Sequence, residues 1–285
     1  MDRSKILVCC HKKAEVYSDD IYTPIQVGKA LHPNLNLGFM TDNIGENISE
    51  KNDSFCELTA QYWAWKNLHC KYIGLCHYRR YFSKTFDEKS LEKELANYDI
   101  ILARPVNVGN SILNYWEANL VNEDIHIFYQ YMIARFPHLK VEIDDFFVRG
   151  SKYSPCNMFI CDKKLFDDFA SWQFSILFDL EKIIKLSSYS RSRRIFGYLS
   201  EGLLPFYASL KHLKIKFYPL VDFPNGNIIY KNESYWQILR KKIKVYIKSK
   251  NIYKMDDAMR VSLNNAGVFD KIKLLVEKYE GSDFL

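Results

Sequence analysis

The sequence predicts an α/β fold with a mostly parallel central sheet flanked by helices. Short apolar runs, such as Lys5 to Cys10, alternate along the chain with segments whose apolar residues recur at helical spacing. Polar residues follow several of these runs directly. Of the 285 residues 48% are apolar and 26% charged, the composition of a soluble globular protein. Strands that alternate with helices favour a parallel sheet, and ligands of such sheets bind beyond the carboxyl ends of the strands.

Each predicted element rests on a local pattern. Apolar runs bounded by polar residues indicate buried strands at 5–10, 37–41, 71–76, 98–103, 157–161 and 214–219. Helices are predicted at 24–31, 54–68, 87–97, 123–136 and 193–210, and over a long segment after Asp162. Pro24 would lie in the first turn of its helix. Ser54, with Glu57 three residues later, has the pattern of a capping box.

The positive charge of the chain is concentrated near its C-terminus. Residues 231–285 carry 12 Lys and Arg against 7 Asp and Glu, a net charge of +5, whereas the whole chain carries +6. We therefore expect a domain over 1–230 and a tail over 231–285, with a basic amphipathic helix within 234–252. Such a helix either binds an anionic membrane surface or packs on the domain with a solvated lysine face.

The apolar runs are too short to span a bilayer or to form a secretory signal. The seven cysteines are an odd number scattered through apolar segments, which does not indicate a disulfide framework. These features predict a cytoplasmic protein, with peripheral binding to the inner face of the membrane as an extension of that prediction. The nearly neutral body argues against a nucleic-acid partner.

Several common catalytic patterns are missing from the sequence. It contains no GxGxxG, GxxxxGK[ST], HExxH or GxSxG, so dinucleotide-binding, P-loop, zincin and serine-hydrolase functions have no support.

Two polar segments follow predicted strands. The first contains Asp42, Asn43 and, on the next helix, Glu57 and Trp63. The second is HYRRYF at 77–82, whose guanidinium groups suit phosphate oxygens while tyrosine and histidine donate to the remaining ones. The simpler interpretations are an Asn- and Asp-rich turn before an amphipathic helix, and a solvated strand end.

Taken in order, these segments resemble a family of bacterial polysaccharide glycosyltransferases catalogued as domain of unknown function 4422. The resemblance covers roughly residues 4–220 and leaves the tail unexplained. It is carried by KILVCCHK at 5–12, IYTPIQVGKA at 21–30, LGFMTDNIGENISEKNDSFCELTAQYWAWKN at 37–67 and YIGLCHYRRYF at 72–82. Weaker matches are CNMFICDKKLFDDFASWQFSIL at 156–177 and RRIFGYLSEGLL at 193–204.

The resemblance implies a GT-A-like fold that transfers a sugar from a nucleotide donor to a growing glycan. Members take part in capsule, exopolysaccharide and O-antigen assembly, and some are similar to galactofuranosyltransferases. We therefore expect a UDP-galactofuranose donor and a lipid-linked or oligosaccharide acceptor. The alternatives are another UDP-sugar (galactose, glucose or an amino sugar) and a non-catalytic glycan-binding or scaffold subunit.

The chain departs from most GT-A enzymes because it has no Asp-x-Asp motif to hold a metal on the diphosphate. We hypothesise that His77, Tyr78, Arg79 and Arg80 bind the diphosphate and that no cofactor is required, since preorganised cations can stabilise the departing charge. The alternative is a divalent metal held by Asp42, by Glu57 or by the Glu142-x-Asp144 pair.

By analogy with GT-A folds, residues after the first two strands lie near the uracil and ribose of the donor. These are His11 and Lys12 after the first strand, and Asp42 and Asn43 after the second. Trp63 or Trp65 is a candidate for stacking on a base or sugar. An inverting transferase needs one carboxylate to deprotonate the acceptor hydroxyl group, and the candidates are Glu201, Asp144 and Asp145.

Overall fold

The computed structural model describes residues 3–230 and 255–279, together with the isolated positions 236, 239, 240 and 243. These residues form two compact units. Unit 1 comprises the described residues of Met1–Pro105, Ser154–Phe174 and Phe196–Lys231, and unit 2 those of Val106–Tyr153, Ser175–Ile195 and Asn232–Leu285. The predicted boundary near residue 230 adjoins residues outside the described part, and it stays a prediction.

Unit 1 is built on a mixed sheet. Its strands are β1 (Lys5–Cys10), β2 (Tyr22–Gln26), β3 (Met40–Thr41), β4 (Tyr72–His77), β5 (Arg80–Phe82), β6 (Ile100–Ala103), β9 (Phe159–Asp162), β10 (Ile215–Tyr218) and β11 (Leu220–Asp222). Along the main path of the sheet they are ordered β10-β6-β9-β4-β1-β2-β3, with β5 beside β4 and β11 beside β5. The pairs β10/β6, β4/β1, β1/β2 and β2/β3 are parallel, whereas β9 runs antiparallel to both β6 and β4.

Helices flank this sheet and complete its core. They are α1 (Asn52–Phe55), α2 (Leu58–Asn67), α3 (Glu88–Leu95), the first part of α7 (Lys163–Glu181) and most of α9 (Ile195–Leu210). On one face of the sheet, Ile6, Val8 and Ile160 pack with Phe82 and Phe86. The mostly parallel α/β fold predicted from the sequence is confirmed.

Unit 2 is mainly helical. Trp116 packs against Phe128 and Phe147 in its interior, with ring centroids 5.7 and 5.8 Å away. Its elements are the strand pair β7 (Val106–Asn107) and β8 (Lys152–Tyr153), the helices α4 (Ile112–Glu117), α5 (Asn122–Arg135), α6 (Lys140–Ile143), α8 (Ser190–Arg193), α10 (Asp257–Asn265) and α11 (Val268–Glu277), and a π-helical turn at Asp144–Arg149.

The predicted helix at 24–31 is wrong, because Tyr22–Gln26 forms strand β2 between β1 and β3. Pro24 is tolerated there. The amide of Val27 donates to β1 and the carbonyl group of Gln26 accepts from Asp42 on the β3 side. By strand alternation the nitrogen of Pro24 therefore points to the β3 side, where pairing begins only at Ile25.

The single helix predicted over 54–68 is also wrong. Cys56 adopts a positive φ of 54° and separates α1 from α2. The side-chain amide of Asn52 donates to the carbonyl group of Cys56 and to the hydroxyl group of Thr59, with lengths of 2.7 and 3.0 Å. Asn52 thereby fixes the break, and Glu57 lies at the beginning of α2 rather than inside a longer helix.

The remaining predicted helices and strands lie within a few residues of the observed ones. Most of the predicted amphipathic segment at 234–252 falls outside the described residues. No helix in the described part of the chain is both long and apolar enough to cross a membrane.

Candidate functional site

The carboxyl ends of β1 and β4 are adjacent because the two strands are parallel neighbours, with Cys9 opposite His77. The next residues of each strand therefore meet. The His11 ring lies edge-on to the Tyr78 ring, with centroids 5.2 Å apart, and Lys12 Nζ and Arg79 Cζ lie 6.0 and 5.3 Å from that ring. Arg79 Nε also donates to Tyr78 Oη over 3.2 Å. We call these four residues the Tyr78 cluster.

A tight hairpin carries two members of this cluster. His77 pairs with Arg80 across it, so that Tyr78 and Arg79 form the turn between β4 and β5. The amide of Tyr78 donates to the carbonyl group of Cys9, and the amide of Phe223 donates to that of Arg79, each over 3.1 Å. Main-chain hydrogen bonds on both sides hold the turn, which preorganises the positively charged side chains on it.

A second group of polar residues lies next to the hairpin. His77 Nε2 is 2.7 Å from the carbonyl oxygen of Cys156 and 3.9 Å from Glu57 Oε1. Because a carbonyl oxygen only accepts, Nε2 carries a proton. Asn157 Nδ2 donates to Glu57 Oε1 over 2.7 Å and to the carbonyl group of Gly197 on α9 over 3.0 Å. The turn formed by Cys156 and Asn157 therefore contacts both His77 and Glu57.

Arg80 lies within electrostatic range of two carboxylates. Desolvation acts to lower the pKa of Arg80, but Cys156 and Tyr230, followed by Glu201 and Glu57, act to raise it, and the net pKa is raised. Burial raises the pKa of the Cys156 thiol to about 12, and burial also raises the pKa of Tyr230. The thiol and the phenol therefore stay neutral at pH 7, and the carboxyl groups near Arg80 are those of Glu57 and Glu201. We use the name central cluster for the residues Glu57, His77, Arg80, Cys156, Asn157, Glu201 and Tyr230.

Buried hydrogen bonds connect α2 and α9 beside the central cluster. Gln61 Nε2 on α2 donates to Gln173 Oε1 over 2.5 Å, and Gln173 Nε2 donates to Ser200 Oγ on α9. Gly197 lets α9 closely approach Cys56, just before the N-terminus of α2, since a Cβ atom at position 197 would lie 3.1 Å from Cys56 Sγ. The two helices that carry Glu57 and Glu201 are thus held against each other.

Asp42 does not reach this site with a free carboxylate. It is fully buried and accepts four hydrogen bonds, from the amides of Gly28 and Lys29 and from the hydroxyl groups of Ser49 and Thr59. The structure therefore gives Asp42 a role in holding the loop and helix that follow β2.

Asn43 and Trp63 likewise contact their own segment. Asn43 is exposed and its side chain accepts from the hydroxyl group of Thr41 over 2.7 Å. Trp63 is 8% exposed, and its indole Nε1 donates to the carbonyl group of Ile44 over 2.9 Å. Trp63 thus fixes the loop 42–48 to α2 rather than presenting its ring for stacking.

Asp144 and Asp145 belong to unit 2, where both are already engaged. Tyr129 Oη and Lys140 Nζ each lie 2.6 Å from an oxygen of Asp144. Arg149 Nε donates to Asp145 over 2.5 Å. Glu201, the third carboxylate expected as the base, belongs to unit 1 and lies within electrostatic range of Arg80.

A family model for the domain of unknown function DUF4422 matches residues 5–212 of this chain. The chain belongs to the DUF4422 family. Its solved relatives include the apo form of WbbM, a bifunctional glycosyltransferase, to which it is 27% identical with a TM-score of 0.72. A search of curated proteins finds none that matches.

The match to WbbM covers 82% of this chain but 48% of the WbbM chain, so the present chain spans about half the length of that relative. The likeness confirms that this DUF4422 chain has a glycosyltransferase fold.

The described residues contain no group of three or more His, Cys, Asp or Glu side chains that could hold a metal ion. Asp42 and Asp144 accept hydrogen bonds from protein donors, and Glu57 accepts from Asn157. These three carboxylates, each named for an alternative metal site, therefore contact neighbouring side chains and amides, and metal independence stays a prediction.

Sequence reasoning missed Cys156, Asn157 and Tyr230 as members of the central cluster. Cys156 and Asn157 were visible only as the start of a segment resembling the family, CNMFIC, whose apolar residues suggested a strand. Asparagine at 157 does carry a signal, because it adopts positive φ more readily than most residues. Its φ is 50°.

Proposed function

We propose that this chain is a glycosyltransferase that transfers galactofuranose from UDP-galactofuranose to a lipid-linked or oligosaccharide acceptor in the synthesis of a bacterial surface polysaccharide. One observation carries the proposal. At the carboxyl ends of β1 and β4, the basic side chains of the Tyr78 cluster lie directly beside the central cluster, which contains His77, Arg80 and two carboxylates. The likeness to WbbM supports the reaction class.

The Tyr78 cluster suits the diphosphate of the donor. Lys12 and Arg79 supply positive charge, Arg79 offers a planar fork of donors, and His11 adds a polar ring. These groups converge on one tyrosine ring from two different strands. Because the hairpin is braced by main-chain hydrogen bonds, its cations need little reorganisation when charge develops on the leaving diphosphate.

The central cluster suits the sugar and the acceptor. Glu201 is the proposed base: it accepts the proton of the acceptor hydroxyl group while that oxygen attacks the anomeric carbon. The bond from the anomeric carbon to the phosphate oxygen breaks, and UDP leaves with the electron pair. Arg80 lies within electrostatic range of Glu201 and Glu57 and is positioned to neutralise charge as UDP departs.

We further propose that these cations, rather than a divalent metal, stabilise the departing diphosphate. The basic residues 231–285, with a net charge of +5, are proposed to bring the enzyme to the anionic inner face of the membrane where lipid-linked acceptors lie.

Calorimetry with UDP, GDP and CMP tests the donor site, each nucleotide being titrated in EDTA and again with manganese. We expect UDP to bind in EDTA and its affinity to fall about 10- to 100-fold in Arg79→Ala and Arg80→Ala, the loss of a charge-assisted contact. Asp20→Ala, which removes an exposed carboxylate paired with Arg3, is the control. UDP binding that requires manganese would overturn metal independence. Absence of nucleotide binding would favour a scaffold subunit.

A further inference from the structure

The turn at Cys156 and Asn157 has two consecutive residues with positive φ, 73° and 50°. Left-handed backbone costs an ordinary side chain roughly 1–2 kcal/mol, although asparagine tolerates it better. Two such residues in sequence persist only where surrounding contacts hold them. This turn directly precedes β9, the antiparallel strand beside β4.

The conformation of the turn lets it contact two functional groups at once. The main-chain oxygen of Cys156 accepts the Nε2 proton of His77, and the side-chain amide of Asn157 donates to Glu57. Asn157 is 2% exposed, and its Oδ1 has no hydrogen-bond partner within the described residues. A flipped amide would place that oxygen against a carboxylate and a carbonyl group, so the observed orientation is fixed.

The same amide also reaches α9. Its second hydrogen bond goes to the carbonyl group of Gly197, one helical turn before Glu201 and therefore on the same side of the helix. Asn157 thus joins the carboxylate of Glu57 to the helix that carries the proposed base. It also holds this carboxylate 3.9 Å from His77 Nε2, beyond hydrogen-bond distance.

We propose that Asn157 is a positioning residue of the transferase site. Its amide anchors Glu57, which keeps that carboxylate from pairing fully with His77 and Arg80 and leaves these groups available to the donor. The assignment rests on the proposed function, because the reaction defines what the site must bind. In this role Asn157 acts through its contacts with Glu57 and Gly197.

Asn157→Asp is the sharpest test because it keeps the shape of the side chain and replaces a donor by a carboxylate facing Glu57. Two carboxylates at this distance share one proton when the pH is low enough. The other charged or titratable groups around them are His77, Arg80 and Glu201, with the thiols of Cys9 and Cys156 and the hydroxyl group of Tyr230. The ratio of variant to wild-type kcat is therefore expected to fall about 100-fold at pH 8 and to recover at least partly at pH 6.

Asn157→Gly removes the side-chain amide but keeps the backbone conformation, since glycine adopts the same positive φ without strain. It therefore tests the role of the amide alone. We expect kcat to fall about tenfold and UDP affinity to fall as well, because Glu57 can then pair with His77 and Arg80. Asn97→Asp is the matched control: this exposed asparagine donates to the carbonyl group of Lys93, and the variant adds the same charge elsewhere in unit 1. Its kcat should equal that of the wild type at both pH values.

Nitrogen NMR of the His77 ring supplies a readout that does not depend on turnover. The wild type should show the Nε2–H form, and Asn157→Asp should shift the His77 signals while Asn97→Asp leaves them in place. A pH-independent kcat ratio, wild-type kcat in Asn157→Gly, or unchanged His77 signals would each overturn the positioning role. A wild type without turnover on any UDP-sugar would instead overturn the proposed function, and the NMR comparison would still decide the position of His77.

Discussion

The hydroxyl group of Thr59 donates a 2.6 Å hydrogen bond to Asp42, joining α2 to the chain that leaves β3. Ser49 donates to the other carboxylate oxygen over 2.5 Å, and two main-chain amides complete the set. A buried carboxylate that accepts this many hydrogen bonds stabilises the fold, because removing it leaves all four donors without an acceptor.

Asp42→Asn is therefore expected to lower the free energy of unfolding by about 3 kcal/mol, since an amide cannot accept from four donors. Urea unfolding measures the loss. Glu50→Gln, which neutralises an exposed carboxylate nearby, should change stability by less than about 0.5 kcal/mol. Unchanged stability combined with lost UDP affinity would instead return Asp42 to the donor site.

Trp63→Phe removes the hydrogen bond from the indole to the carbonyl group of Ile44. We expect the free energy of unfolding to fall by about 1 kcal/mol, the net value of one such bond. UDP affinity, followed by calorimetry, should remain within about twofold of the wild type because the ring is buried in α2 packing. A large loss of affinity without a change in stability would show that the ring contacts the donor.

Glu201→Gln should bind UDP as the wild type does and lose turnover by about 100- to 10,000-fold, because glutamine cannot accept the acceptor proton. Asp145→Asn is the comparison: it breaks an exposed ion pair with Arg149 in unit 2 and should retain activity. Retained turnover in Glu201→Gln together with loss in Asp144→Asn or Asp145→Asn would move the base to unit 2.

The stability of the protein should fall as the pH rises from about 4 to about 7 because of Asp124. Burial, with a smaller contribution from Glu123, raises the pKa of this carboxyl group to about 7, and its Oδ2 has no hydrogen-bond partner in the described part of the chain. An unfolded Asp has a pKa of about 3.9. Between these values the folded state binds the extra proton, so that raising the pH weakens folding.

Urea unfolding between pH 4.5 and 8 tests this sign. The free energy of unfolding of the wild type relative to Asp124→Asn should decrease by up to about 1.4 kcal/mol per pH unit below about pH 7 and level off above it. Comparison with the variant isolates Asp124 from nearby His126, whose pKa is lowered by burial and which acts in the opposite direction. Glu123→Gln, at an exposed neighbour, should reproduce most of the wild-type slope. A wild-type curve parallel to Asp124→Asn would contradict the prediction.

Sequence periodicity predicted most of the fold because apolar runs and helical spacing are local signals. The family resemblance implies that His11 and Lys12 lie near the uracil and ribose of the donor. The structure shows them against Tyr78 of HYRR, since parallel neighbouring strands bring their carboxyl ends together. Periodicity failed at β2, where proline suggested a helix, and at Cys56, whose positive φ depends on hydrogen bonds from Asn52.

The candidate site was only partly predictable for a similar reason. Asn157 contacts Glu57 across 100 residues of chain, and no local pattern reports a pairing at that separation. Asp42 and Trp63 lie in polar and aromatic stretches of sequence that suggest ligand binding. Their hydrogen-bond partners include the amide of Gly28 and the carbonyl group of Ile44, which lie in loops whose path the sequence does not reveal.

Mass spectrometry of a lipid-linked glycan acceptor, incubated with UDP-galactofuranose and the full chain in EDTA, tests the central claim most directly. We expect a product heavier by one hexose with the wild type, little product with Glu201→Gln, and no product when UDP-galactopyranose replaces the donor. Transfer from a different UDP-sugar would correct the donor alone. An acceptor left unmodified with every UDP-sugar, with or without manganese, would contradict the assignment of this chain as a glycosyltransferase.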